Sequence, residues 1–163
     1  MNRAQRREVV RAKPVPPPRR RYTGPNRPSL VEVHRCFAPI DHMLDCLDAG
    51  EIYVIDDVVV FKDFEDSTWY ALVPAMLGWC ELWQRLALHY RLDIDTGPVR
   101  VLMGKLERAE YLAKEEIAAG RAVVDLTRRA YMGMDVYEVK SFVRTQQLKI
   151  QLEDAGLARK EEQ

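Results

Sequence analysis

Between residues 74 and 92 the chain is apolar on almost every side of a helix, and this segment decides what the rest can fold into. Met76, Leu77, Trp79, Cys80, Leu82, Trp83, Leu86, Ala87 and Tyr90 together occupy most of a helix's circumference. Such a helix is the buried centre of a domain and needs neighbours on all its flanks. Trp79 and Trp83, four residues apart, are expected in the core, although with Trp69 they would also suit a ligand pocket. A chain of 163 residues, 47% of them hydrophobic, is one domain's worth of material. It can bury a core without disulfides or a structural metal.

The flanking elements are readable. Leu30, Val31, Val33, Phe37, Ile40, Met43, Leu44 and Leu47 recur at helical spacing. Pro39 interrupts them, which leaves either a turn followed by a helix or one kinked helix, ending at a left-handed Gly50. Residues 52–55 and 58–61 are β-branched and aromatic around Asp56-Asp57, a hairpin whose turn would be better served by Asp-Gly. A second turn over 63–67 leaves room for a third short strand at 68–72. After Thr96-Gly97-Pro98, residues 99–106 and 115–132 read as helices, with 109–114 either a loop or a continuation. Asp135 followed by Glu138 marks the N-terminus of a last helix with Val136, Val139, Phe142, Val143 and Ile150 on its apolar face. Gly156 should stop it, and residues 159–163 should fray. The expected fold is mainly α: one helical domain over 29–163 with a small β-hairpin near 52–72, preceded by a disordered basic arm over 1–28.

The arm follows from composition. Residues 1–28 hold nine Lys or Arg against Glu8 alone, with six prolines among them. Proline fixes φ and like charges repel, so the segment should be extended. Residues 29–66 carry ten acids against Arg35 and Lys62, and the remainder of the chain is balanced. A formal net charge of zero therefore hides a basic arm, an acidic front half and a neutral back half. Cys36, Cys46 and Cys80 form no CxxC pair, which suits a reducing compartment. No apolar run reaches the roughly 18–20 residues of a membrane span. The Arg-rich start lacks the apolar stretch of a secretory signal, and its prolines and lack of serine before Ser29 count against a mitochondrial presequence.

Several stretches carry a resemblance. Gly50-Glu51 before the hairpin, the run Trp69 to Trp79, and Ala130-Tyr131-Met132-Gly133-Met134-Asp135-Val136-Tyr137-Glu138-Val139-Lys140 resemble small accessory proteins of proteobacterial phages and prophages, a group without an assigned activity. The stretch from Arg19 to Pro25 resembles their basic N-terminal tails. The likeness spans most of the chain. It implies a mobile-element origin and a bacterial cytoplasm, and it carries over no functional residue.

Catalysis has no support in the sequence. There is no GxSxG, P-loop or GxGxxG, and no cofactor or small-molecule substrate is indicated. His42 and Cys46 lie four apart, but His34, Cys36, Cys80 and His89 do not complete a zinc spacing, so no metal site is expected. The leading expectation is a non-enzymatic binding or regulatory protein. In it Arg19, Arg20, Arg21 and Arg27 engage nucleic-acid phosphates or an acidic protein partner of phage or host. The arm would alternatively dock on an acidic patch of a second subunit, giving a homo-oligomer, or act only as a solubilising tail. With Tyr22 as its single aromatic, it is no stacking platform. The rival reading assigns function to Asp41, Asp45 and Asp48, whose near-helical spacing would make an acidic ridge that mimics nucleic acid against a host protein. Its plain counterpart is a solvated helix face. Tyr137, Lys140, Arg144, Gln147 and Gln151 form a polar stripe on the last helix. No short two-helix turn precedes it, so a helix-turn-helix is disfavoured.

Overall fold

The computed structural model describes residues 26–63, 65 and 67–154, with the side chains of 152–154 excepted. Arg19, Arg20, Arg21 and the rest of the expected arm up to residue 25 lie outside the described residues. So do Phe64 and Asp66 of the second turn, Gly156 and the tail.

Five helices and three strands follow in order: α1 (Leu30–Ala49), β1 (Tyr53–Ile55), β2 (Val58–Lys62), β3 (Trp69–Ala71), α2 (Leu72–Tyr90), α3 (Gly97–Glu107), α4 (Lys114–Met132) and α5 (Val136–Asp154). The protein is mainly helical with a small antiparallel sheet. Helix α1 begins where Ser29 accepts a hydrogen bond from the Glu32 N–H at 3.2 Å. It runs unbroken through Pro39, which lies on the exposed side, and Gly50 ends it at φ 70°. Val33, Phe37, Ile40, Leu44 and Leu47, spaced at three and four, form its buried stripe.

The sheet has the order β1-β2-β3, with Tyr53 opposite Val60 and Val60 opposite Ala71. Asp56 and Asp57 both take positive φ, 49° and 63°, the two-residue turn whose twist matches the flanking strands. Phe61 points into the core and fixes β2 against α2, while Val60 is buried on the opposite face of the strand, across from Tyr53 and Ala71. Between α3 and α4 the chain loops, and Ala109 at φ 51° breaks the helical path. Glu116, in the first turn of α4, accepts the Ala113 N–H at 2.9 Å and pairs with Lys105 of α3.

Helix α4 packs on α1 and α3, and α2 packs on α3 and the sheet. The close approach of α3 to α4 depends on Gly120: a Cβ there would stand 2.8 Å from Leu102 Cδ1. That is why a glycine sits inside a long helix despite its poor helix propensity. Helix α5 enters the core only at its start. Met134, Asp135, Val136 and Val139 are buried, Phe142 and Val143 are half-buried, and Leu148 and Ile150 are exposed. The apolar face expected along its whole length is therefore covered only over its first two turns.

Among the described residues no helix is long and apolar enough to cross a membrane.

Candidate functional site

Three surfaces bear on function: the root of the arm, the acidic face of α1, and a groove between α2 and α5.

The root is fixed by one buried carboxylate. Asp135 Oδ1 accepts the N–H groups of Tyr137 and Glu138 at 2.9 and 3.1 Å, capping α5 as its position before the helix demands. Its other oxygen accepts the Asn26 N–H at 2.7 Å, and the Asn26 carbonyl accepts the Val136 N–H at 2.8 Å. Residues 26–28, counted with the arm on composition, are thus tied to the body, with Arg27 exposed beside the start of α5. Val136, Lys140 and Arg144 follow at spacing four, so the arm's root stands at the head of a line that carries two more cations. Lys140 Nζ lies 2.6 Å from Glu32 Oε1, a bond that pushes its pKa up, while Arg144 has no ion-pair partner among the described residues.

The acids of α1 are largely engaged from within. Asp41 pairs with Arg128, and Asp45 pairs with Arg121 at 2.7 Å, with Asp48 4.0 Å from the same guanidinium. Arg128 also reaches Asp125, and its guanidinium lies 5.3 Å from the Phe37 ring centre. Arg121 and Arg128 lie seven apart on α4 and so share the face that meets the Asp41, Asp45, Asp48 stripe of α1, a pairing that the helix packing reveals. His42 Nε2 stands 2.8 Å from the Lys62 carbonyl, which ties α1 to the sheet, and Cys46 Sγ is 3.7 Å from the same nitrogen. Among the described residues no group of three or more His, Cys, Asp or Glu is placed to hold a metal.

The groove is a cavity of about 550 Å3 bounded by α1, α2, α4 and α5. Its floor is Phe37, Trp83, Leu86, Tyr131 and Val139, all buried, and its walls are the half-buried Trp79, Leu82 and Val143. Cys36, Lys140, Arg144 and Gln147 form the exposed rim. Phe37 lies 6.2 Å from the Trp83 ring and 6.0 Å from the Tyr131 ring, so three helices meet through aromatic contacts. The Cys36 thiol donates to the Tyr131 hydroxyl at 3.8 Å, and burial first, then that thiol, push the Tyr131 pKa up. A smaller hollow continues the seam past Gly78, Arg85, Gln146 and Ile150. There Arg85 donates to Gln146 at 2.7 Å, and the His89 ring lies 4.8 Å from Phe142.

These placements refine the expectation for the tryptophans. Trp83 is buried at 4% exposure, whereas Trp79 is only half-buried and lines the groove. The sheet presents a second apolar surface: Tyr53, Ile55, Val58 and Trp69 are exposed on one face, with Tyr53 and Trp69 edge to face at 5.2 Å.

Comparison with known protein families, with curated proteins and with solved structures finds no match.

Proposed function

We propose that the chain is a non-enzymatic nucleic-acid-binding accessory protein, in which the basic arm supplies the attachment and the helical body presents it. The reading rests on the anchoring of Asn26 at Asp135 and Val136, which fixes the root of a segment carrying Arg19, Arg20, Arg21 and Arg27 at the start of the helix that bears Lys140 and Arg144. A run of cations without aromatic partners suits phosphates and not base edges, so binding is nonspecific in sequence. The phage-type origin and bacterial cytoplasm implied by the family resemblance are consistent with such a role.

The ion pairs of Asp41 and Asp45 favour this reading over nucleic-acid mimicry. Carboxylates already held by Arg121 and Arg128 must break those contacts before they can compete for the cations of another protein.

Anisotropy of labelled duplex DNA tests the proposal. If about six arm cations each displace a counterion, affinity falls roughly 10³-fold between about 50 and 200 mM salt. Replacing Arg19, Arg20 and Arg21 with Gln should halve the slope of that dependence. Affinity that is flat in salt, or unchanged in the triple variant, would refute it.

A further inference from the structure

The helix whose sequence asks for burial on every side does not receive it. Trp79 and Leu82 face a cavity of about 550 Å3 and are only half covered, although α5 runs beside α2 and meets it at His89–Phe142 and Arg85–Gln146. We propose that this groove binds a small amphipathic anion, an apolar chain or ring system carrying one carboxylate. Its apolar body lies against Phe37, Trp79 and Trp83, and its head sits at Arg144.

Size selects a small molecule. The cavity falls within the roughly 300–1,000 Å3 of sites that enclose drug-sized ligands. Charge selects the head group. Lys140 is already satisfied by Glu32, whereas Arg144, one turn further along the same face, has no ion-pair partner among the described residues. Gln147 stands next to it at the rim. A planar guanidinium with an amide beside it holds a carboxylate by two parallel hydrogen bonds, and the two rim cations repel a cationic amphiphile. Below the rim the lining is apolar apart from the Tyr131 hydroxyl and the indole N–H groups of Trp79 and Trp83, which suits a mainly apolar body further in.

The site carries its own reporters. Trp79 and Trp83 line it, and Cys36 on its rim is the one exposed cysteine, Cys46 and Cys80 being buried. The full-length protein is titrated with decanoate, decanol and decyltrimethylammonium below their micelle concentrations, reading tryptophan emission and the rate of Cys36 alkylation. Decanoate should bind saturably and slow the alkylation, with decanol weaker and the ammonium weakest. From octanoate to dodecanoate, affinity should rise about fourfold per methylene. Arg144→Gln, an exposed change that leaves the core intact, should weaken decanoate about tenfold and leave decanol unaltered. Val143→Trp, which fills the groove, should abolish all three. Equal affinity for the three head groups, no protection of Cys36, or indifference to Arg144→Gln would overturn the proposal. So would a change of association state in Val143→Trp by sedimentation, since the occupant would then be a second copy. A chain truncated before Asn26 should bind decanoate unchanged, so this proposal and the nucleic-acid reading fail separately.

Discussion

Asp135 does more than cap a helix. Its carboxylate takes N–H groups from the first turn of α5 and from Asn26, more than a hundred positions earlier in the chain. Removing it leaves three donors without an acceptor in a partly buried place. Asp135→Ala should therefore cost about 2 kcal/mol or slightly more, the upper end for a lost N-cap, read from the urea midpoint. Asp135→Asn keeps an accepting oxygen and should cost about half as much. Glu116 sets a different kind of residue-scale dependence. The hydrogen bond from Lys105, then the Ala113 N–H, hold its carboxyl below the ordinary value of 4.5. A carboxyl depressed in the folded state contributes stability that is complete above its unfolded pKa and disappears as pH falls through the folded one. The urea midpoint of the wild type should thus drop as acid is added below about pH 4.5, and Glu116→Gln should make that stretch of the profile shallower.

At the scale of elements, the hairpin turn places two consecutive non-glycine residues, Asp56 and Asp57, in the left-handed region. This region costs most L-residues about 1–2 kcal/mol, and aspartate, whose short side chain can hydrogen-bond locally, less than most but more than glycine. Asp57→Gly should raise stability by about 0.5–1 kcal/mol, with the larger unfolded-state entropy of glycine offsetting part of the relief. A thermal melt that moves down instead would mean that the Asp57 side chain holds the turn. The strands themselves were legible because β-branched runs flank that turn, and α2 and α4 because their spacings are regular. Pro39 left α1 ambiguous, since a proline on the exposed side of a long helix and one at a chain break look alike without the neighbours. The groove was not legible. An apolar circumference predicts burial, and only the packing of α5 against α2 determines that Trp79 stays half uncovered. The pairing of Asp41 and Asp45 with Arg121 and Arg128 depends on α1 lying along α4, a long-range packing that periodicity on one helix cannot supply.

On the scale of the whole molecule, the charge separation in the sequence is partly cancelled within the body. Two acids of the front half are bound by cations of α4, and Glu32 by Lys140 of α5, which leaves fewer carboxylates for the arm's nine cations to meet in their own chain. This is the condition under which a basic segment is available to an external polyanion. On the proposed function, attachment and folding separate at a definite place, the backbone of Asn26. A chain beginning at Asn26 retains the hydrogen bonds to Asp135 and Val136, whereas one beginning at Ser29 loses both and leaves the Val136 N–H unsatisfied in a buried position. Both truncations remove Arg19, Arg20 and Arg21 and should lose salt-dependent binding to duplex DNA alike. Only the second should lose stability, by about 1–3 kcal/mol, as for a buried donor deprived of its acceptor. Urea unfolding of the two truncations beside the full chain measures this directly. Equal midpoints for all three would show that the Asn26 tether contributes nothing to the fold. A lowered midpoint already in the chain beginning at Asn26 would mean that the body depends on residues 1–25, so that attachment and folding are not separable at that point.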